Sequence, residues 1–188
     1  MKQAIIVHGT CSREEYYDPR FPSLSNSHWI PWLQKQLLIR DFSVATPEMY
    51  HAYMPDYELW SQEFEKYTTP ETDILVWHSC GWGFLIRWLS EHPLYHPKSV
   101  ILVAPWLDPY KTRWEGFFDF SIDKSLSTRC EKLIVFQSSN DAPDIQISID
   151  TISKSISGIR LREFQNYGHF CFSDMGAHEF PELLESVL

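Results

Sequence analysis

The sequence predicts an α/β fold: a single domain in three layers, with a six-stranded parallel sheet covered by helices on both faces. Three observations predict it. Short apolar runs alternate with helix-patterned segments six times along the chain. The runs are so uniformly apolar that each strand is expected to be buried on both sides, as parallel strands are. A length of 188 residues suits one domain with a substantial core, and no repeat, low-complexity tract or linker divides it.

Residues 4–7 read as the first strand, stopping at His8-Gly9-Thr10, and residues 11–26 follow as a long irregular segment. Trp29, Leu33 and Leu37 recur at four-residue spacing and mark a first helix, with Pro31 early enough to fit its first turn. Residues 42–45 form the second strand, closed by Pro47, and Tyr57, Trp60, Phe64 and Tyr67 share one face of the next helix. The third strand, 74–76, runs into His78-Ser79-Cys80-Gly81; the helix behind it carries Phe84, Leu85, Trp88 and Leu89 and ends at Pro93. Residues 100–103 are the fourth strand. Residues 106–124 are rich in aromatics without a clean period and read as loop plus a short helix. Residues 133–136 are the fifth strand. Ile145, Ile149, Ile152 and Ile156 mark a helix that Gly158 can end. The sixth strand spans 159–164, and a helix at 181–188 closes the chain.

The bulk composition excludes several classes. A net charge of −9, from 16 basic and 25 acidic residues with no basic run, argues against nucleic-acid or anionic-membrane binding. No apolar run approaches membrane-spanning length. The chain opens directly on a short strand without a leader-like stretch, and Cys11, Cys80, Cys130 and Cys171 are scattered with no metal or disulfide spacing. A reducing cytoplasm is therefore the expected compartment.

In an open parallel sheet, ligands bind beyond the carboxyl ends of the strands. His8-Gly9-Thr10, His78-Ser79, Asn140-Asp141 and Gly168-His169 all fall there. An apolar strand ending abruptly in His-Ser-x-Gly before a helix presents a serine on a sharp turn, facing the first helical amides. A serine hydroxyl becomes nucleophilic when a histidine accepts its proton and a carboxylate orients that imidazole. The order Ser79, Asp141, His169 supplies these parts. Ser79 could instead be a helix cap, but capping leaves Gly81 and Gly83 unexplained. Asp144 rivals Asp141 as the acid. The backbone amides of Cys80 and of Thr10 (or Cys11) are the expected oxyanion donors. His8 is expected to brace the first of these loops and His78 the serine turn. Histidines 28, 51, 92, 96 and 178 have no metal spacing and are expected to be solvated or packed. Cys11 and Cys80 flank the site without occupying the tip of the turn.

With these motifs, the chain resembles the α/β-hydrolase superfamily, in particular the small serine hydrolases grouped with retinoblastoma-binding protein nine and YdeN-like bacterial proteins. The likeness rests on His8-Gly9, Trp29-Ile30-Pro31-Trp32-Leu33, His78-Ser79-Cys80-Gly81, Ser139-Asn140-Asp141 and Gly168-His169-Phe170. It implies a minimal α/β-hydrolase fold with strand order 2-1-3-4-5-6 and a Ser79–His169–Asp141 triad. Trp77 departs from the pattern, standing where the first glycine of G-x-S-x-G belongs, so neighbouring backbone or a slightly altered turn must accommodate it. The Leu-x-Cys-x-Glu signature of retinoblastoma binding is absent, and no protein partner is carried over. The expectation is a serine hydrolase acting on a small ester-like substrate, less favourably an amide or thioester, and needing no cofactor. Residues 106–120 and 11–26 would shape its acyl pocket. The alternatives are a protein-binding module on a weakly catalytic scaffold, or an acyltransferase with the same triad.

Overall fold

The computed structural model describes residues 2–69 and 72–188. The strands are β1 (Lys2–Val7), β2 (Phe42–Ala45), β3 (Thr72–His78), β4 (Ser99–Val103), β5 (Lys132–Ser138) and β6 (Arg160–Phe164). The α-helices are α1 (Arg13–Tyr17), α2 (Ile30–Leu38), α3 (Tyr57–Glu65), α4 (Gly81–Glu91), α5 (Pro143–Ser155), α6 (Phe172–Met175) and α7 (Pro181–Val187). All six strands run parallel in one sheet of order β2-β1-β3-β4-β5-β6. Fold class and strand order are as expected.

The apolar spacing read from the sequence is the spacing that is buried. Ile30, Leu33 and Leu37 of α2 and Ile145, Ile149 and Ile152 of α5 face the core. Asp56 caps α3 by accepting from the Leu59 amide at 2.9 Å, which fixes where that helix starts. Side chains of β3 alternate between the two helical layers. Trp77 meets Phe64 of α3 and Phe84 of α4, whereas His78 meets Trp29, which in turn meets Phe180 at the start of α7.

Three expectations need correcting. Residues 106–124 contain turns and no helix; a 3₁₀ turn follows only at Leu126–Thr128. Asp108, Lys111 and Trp114 take positive φ there, and each interrupts helical winding. The irregular segment 11–26 holds the single-turn helix α1 and a 3₁₀ turn at Leu24–Asn26. Finally, β6 is wet: Arg160, Leu161 and Glu163 are exposed, because β6 is an edge strand.

The strand order reverses between β1 and β3. Val7 pairs with Trp77, and His78 with Val103, so the chain after β1 and the turn after β3 leave the sheet side by side. That is the switch point where a doubly wound sheet opens a crevice.

Candidate active site

Ser79 occupies a strained position. Its amide still donates to the Val103 carbonyl at 2.9 Å, continuing the sheet, but its φ is +57°. A non-glycine residue held there costs about 1–3 kcal/mol unless its surroundings enforce it. The enforcement is visible at two glycines. A Cβ on Gly9 would lie 2.7 Å from the Ser79 Cβ, so the β1 loop closes directly onto the serine. A Cβ on Gly81 would lie 2.0 Å from Trp77 Nε1 and 2.5 Å from the His8 carbonyl oxygen. The indole of Trp77 therefore turns away into the α3–α4 layer and fills the space that Gly81 leaves open. Trp77 Nε1 finds no acceptor among the described residues, at a cost of about 1–3 kcal/mol. The turn stays tight despite the missing first glycine.

The Ser79 hydroxyl does not cap α4. It lies 2.7 Å from His169 Nε2, and His169 Nδ1 lies 3.1 Å from both carboxylate oxygens of Asp141. A carboxylate only accepts, so Nδ1 carries the hydrogen and Nε2 is free to accept from Ser79. Asp141 is buried at its side chain, 3% exposed against 30% for His169. Asp144 points elsewhere: its Oδ2 accepts from Trp106 Nε1 at 2.8 Å and its Oδ1 from the Ile145 amide at 3.1 Å.

Hydrogen bonds between neighbouring loops hold this arrangement. Asn140 Oδ1 accepts from the Gly168 amide and from the Ser138 hydroxyl, while Ser138 Oγ accepts from the Tyr167 amide at 2.9 Å. The loops after β5 and β6 are thereby stitched together. Asp174 of α6 accepts from the His169 amide at 2.9 Å and sits against Gly168, whose φ of +52° would strain any other residue. His78 donates from Nε2 to the His169 carbonyl at 2.8 Å. It braces the histidine loop rather than the serine turn alone. Burial, helped by the neighbouring His169 and His28, holds the His78 imidazole well below its ordinary value of 6.5 and keeps it neutral. His8 is fixed likewise, with Nδ1 donating to the Gly9 carbonyl and Nε2 accepting from the Met49 amide; burial lowers its pKa as well.

Two histidines outside the expected set also act on this region. His178 Nδ1 donates to the His28 carbonyl at 2.8 Å, and His28 Nδ1 accepts from the Phe172 amide at 3.2 Å. Nothing in the local sequence signals these contacts, since they join positions more than 140 residues apart.

Thr10 and Cys80 both line the cavity at Ser79, and the Cys80 thiol donates to the Thr10 hydroxyl at 2.7 Å. The two segments expected to supply oxyanion donors are thus tied together by side chains 70 residues apart, which no local pattern pairs. Burial pushes the Cys80 thiol up to about 11, which leaves it protonated and unreactive at neutral pH. Cys11 is also raised to about 11, chiefly by burial, and lies in a separate depression with Glu15, Tyr16 and Glu48. The Ser79 cavity has a volume of about 340 Å³. Trp106, Arg113, Trp114 and Ile145 wall it beside the polar residues; residues 11–26 do not line it. Gly83 lets Phe118 approach α4, since a Cβ there would meet the Phe118 ring at 2.1 Å.

Among the described residues, no helix is long and apolar enough to cross a membrane, and no group of three or more His, Cys, Asp or Glu is arranged to hold a metal ion. All four cysteines are free.

The model of the serine hydrolase family matches residues 19–187. The chain belongs to the serine hydrolase family. It is an enzyme of the serine hydrolase type, with a YdeN-like α/β-hydrolase fold. The ydeN gene product of B. subtilis superposes with a TM-score of 0.80 at 24% identity, over 100% of this chain and 97% of that one. A YdeN-like hydrolase of Pectobacterium atrosepticum gives a TM-score of 0.63 at 15% identity, over 99% and 89% of the two chains. A methylesterase from Arabidopsis gives 0.64 at 13% identity, over 100% and 99%. At these identities the superpositions speak to the fold. No curated protein sequence matches the chain.

Proposed function

We propose that this serine hydrolase cleaves a carboxylic ester through an acyl-enzyme on Ser79. The observation that carries this reading is the continuous hydrogen-bonded series Ser79–His169–Asp141 at the floor of an open cavity. Ser79 Oγ attacks the acyl carbon while its proton passes to His169 Nε2. Asp141 keeps Nδ1–H directed and stabilises the imidazolium that forms. The negative charge on the carbonyl oxygen falls to the backbone amides of Cys80 and Thr10, each worth about 10²–10³ in rate for such a donor. His169 returns the proton to the departing alcohol. Water, deprotonated by the same imidazole, then releases the acid and restores Ser79. The shared fold with an esterase supports the choice of ester over amide or thioester.

A panel of p-nitrophenyl esters of graded acyl length tests the reading. A cavity of about 340 Å³ is near the lower end of ligand pockets, so short acyl chains are expected to react faster than long ones. Ser79→Ala is expected to lose at least about 10³-fold in turnover. Wild-type rates in Ser79→Ala would contradict the proposal, and an inert wild type would favour a binding module on the same scaffold. If an added alcohol outcompetes water for the acyl group, the enzyme is an acyltransferase.

A further inference from the structure

Arg113, an exposed residue, lines the same cavity as Ser79, together with Trp106 and Trp114. Most arginines of this acidic protein have partners: Arg20 pairs with Asp18, Arg87 with Glu91 and Arg129 with Asp123. The Arg113 guanidinium has no ion pair, hydrogen bond or ring partner among the described residues. The acids on the cavity wall are already engaged. Asp141 accepts from His169 and the Ala142 amide, and Asp144 from Trp106 and the Ile145 amide.

The backbone around Arg113 is held in place from below. Asp108 is 4% exposed. Its Oδ2 accepts from the Arg113 amide at 2.7 Å, and its Oδ1 accepts from the Thr112 amide at 3.0 Å and the Thr112 hydroxyl at 3.2 Å. Burying a carboxylate is costly unless donors surround it. Here the donors are the backbone positions that set where the Arg113 side chain leaves the loop. This exposed cation, without a protein partner among the described residues and on a pinned loop that lines the nucleophile's cavity, is free to meet an anion there.

We propose that Arg113 binds a negatively charged group on the ester, so that the preferred substrates are anionic esters such as half-esters of dicarboxylic acids. This rests on the ester-hydrolase reading above and names its substrate class. A guanidinium grips a carboxylate through two parallel charge-assisted hydrogen bonds. The anion lies away from the reacting carbonyl, so the contact is equal in the ground and transition states. It therefore lowers KM and leaves kcat nearly unchanged. Hydrolysis of a half-ester consumes one water and releases an alcohol and a dicarboxylic acid; with the anion on the alcohol half, it releases a simple acid and an anionic alcohol.

The test uses two matched pairs of esters that differ in one charge. On the acyl side, mono-p-nitrophenyl adipate is compared with its methyl ester; on the alcohol side, 4-acetoxybenzoate is compared with methyl 4-acetoxybenzoate. Within at least one pair, wild-type kcat/KM is expected to favour the anion by about tenfold at low salt, and less as salt is added. Which pair responds tells which half of the ester meets Arg113. R113Q is expected to bring that ratio to about one through a higher KM for the anion, and R113K to keep part of the preference. The same ratio in wild type and R113Q for both pairs overturns the proposal, as does a wild type that shows no preference while hydrolysing the neutral esters. If no ester is turned over and a fluorophosphonate leaves Ser79 unlabelled, the hydrolase reading falls and this proposal with it.

Discussion

The Ser79 turn is held by close approaches of the main chain: Gly9 lies against the serine, Gly81 against the Trp77 indole and the His8 carbonyl, and the Ser79 amide donates to Val103. Across the cavity, residues 104–120 are held by rings. Trp106 meets Trp114 and Phe118 edge-on, Phe117 meets Phe118, and the buried Asp108 gathers the loop amides. The difference separates two tasks. Fixed backbone suits the reacting atoms, where small displacements cost rate. A wall of side chains can be recut without disturbing them, which is where selectivity can vary.

The largest expected effect lies on the hydrogen-bonded side. Asp141→Asn should lower kcat on the order of 10³-fold, because it disrupts the imidazole tautomer that accepts from Ser79. Asp144→Asn, which loosens only the Trp106 contact, should cost less than about tenfold. Steady-state kinetics of the two variants decide it, and the reverse ranking would move the acid to Asp144.

Next, a change of side-chain size on each side should behave differently. Gly81→Ala forces backbone apart and is expected to lower stability by about 1–3 kcal/mol or more, with turnover falling about 10²-fold. Phe118→Ala, which opens space among rings, should cost a similar stability of about 2–4 kcal/mol, yet broaden acyl selectivity and keep kcat within about tenfold. Thermal midpoints and rates on graded esters measure both. Equal losses of kcat would erase the distinction between the two walls.

A smaller effect comes from pH. His8 and His78 lie beneath the serine turn and are held below 6.5 chiefly by burial, whereas residues 104–120 contain no histidine. Below pH 6.5 the unfolded chain takes up protons that the folded chain refuses, so stability falls as pH drops from 6.5 toward the lowered native values. The slope is at most about 1.4 kcal/mol per pH unit for each such histidine. Thermal midpoints at pH 7.5, 6.5 and 5.5 should decline in that order. His78→Gln, whose amide can still donate to the His169 carbonyl, should flatten the decline, and a midpoint that rises on acidification would contradict it.

The same contrast explains what the sequence discloses. Parallel strands are apolar runs and a serine turn is local, so β1 to β5, the serine motif and the polar residues after the strands are legible as pattern. The order of strands came through family resemblance, since no spacing encodes which strands are neighbours. Helices α1 and α6, of five and four residues, are too short to show a period. Residues 106–124 mislead because aromatic density there reflects ring packing, while positive φ at Asp108, Lys111 and Trp114 breaks the winding. Asp141 and Asp144 lie three residues apart, and only the loop's path sends one carboxylate to His169 and the other to Trp106. Trp77 reads as a defect in the motif, but its indole occupies the space beside Gly81, a contact no sequence pattern encodes.

The most direct test of the account is to map the covalent adduct. Wild-type protein treated with a fluorophosphonate, or trapped with an activated ester at acid pH, is digested and analysed by mass spectrometry. A single phosphonyl or acyl group is expected on Ser79, absent in Ser79→Ala and formed more slowly in His169→Ala. An adduct on Cys11, on Cys80 or on another serine, or equal labelling of Ser79→Ala, would contradict it.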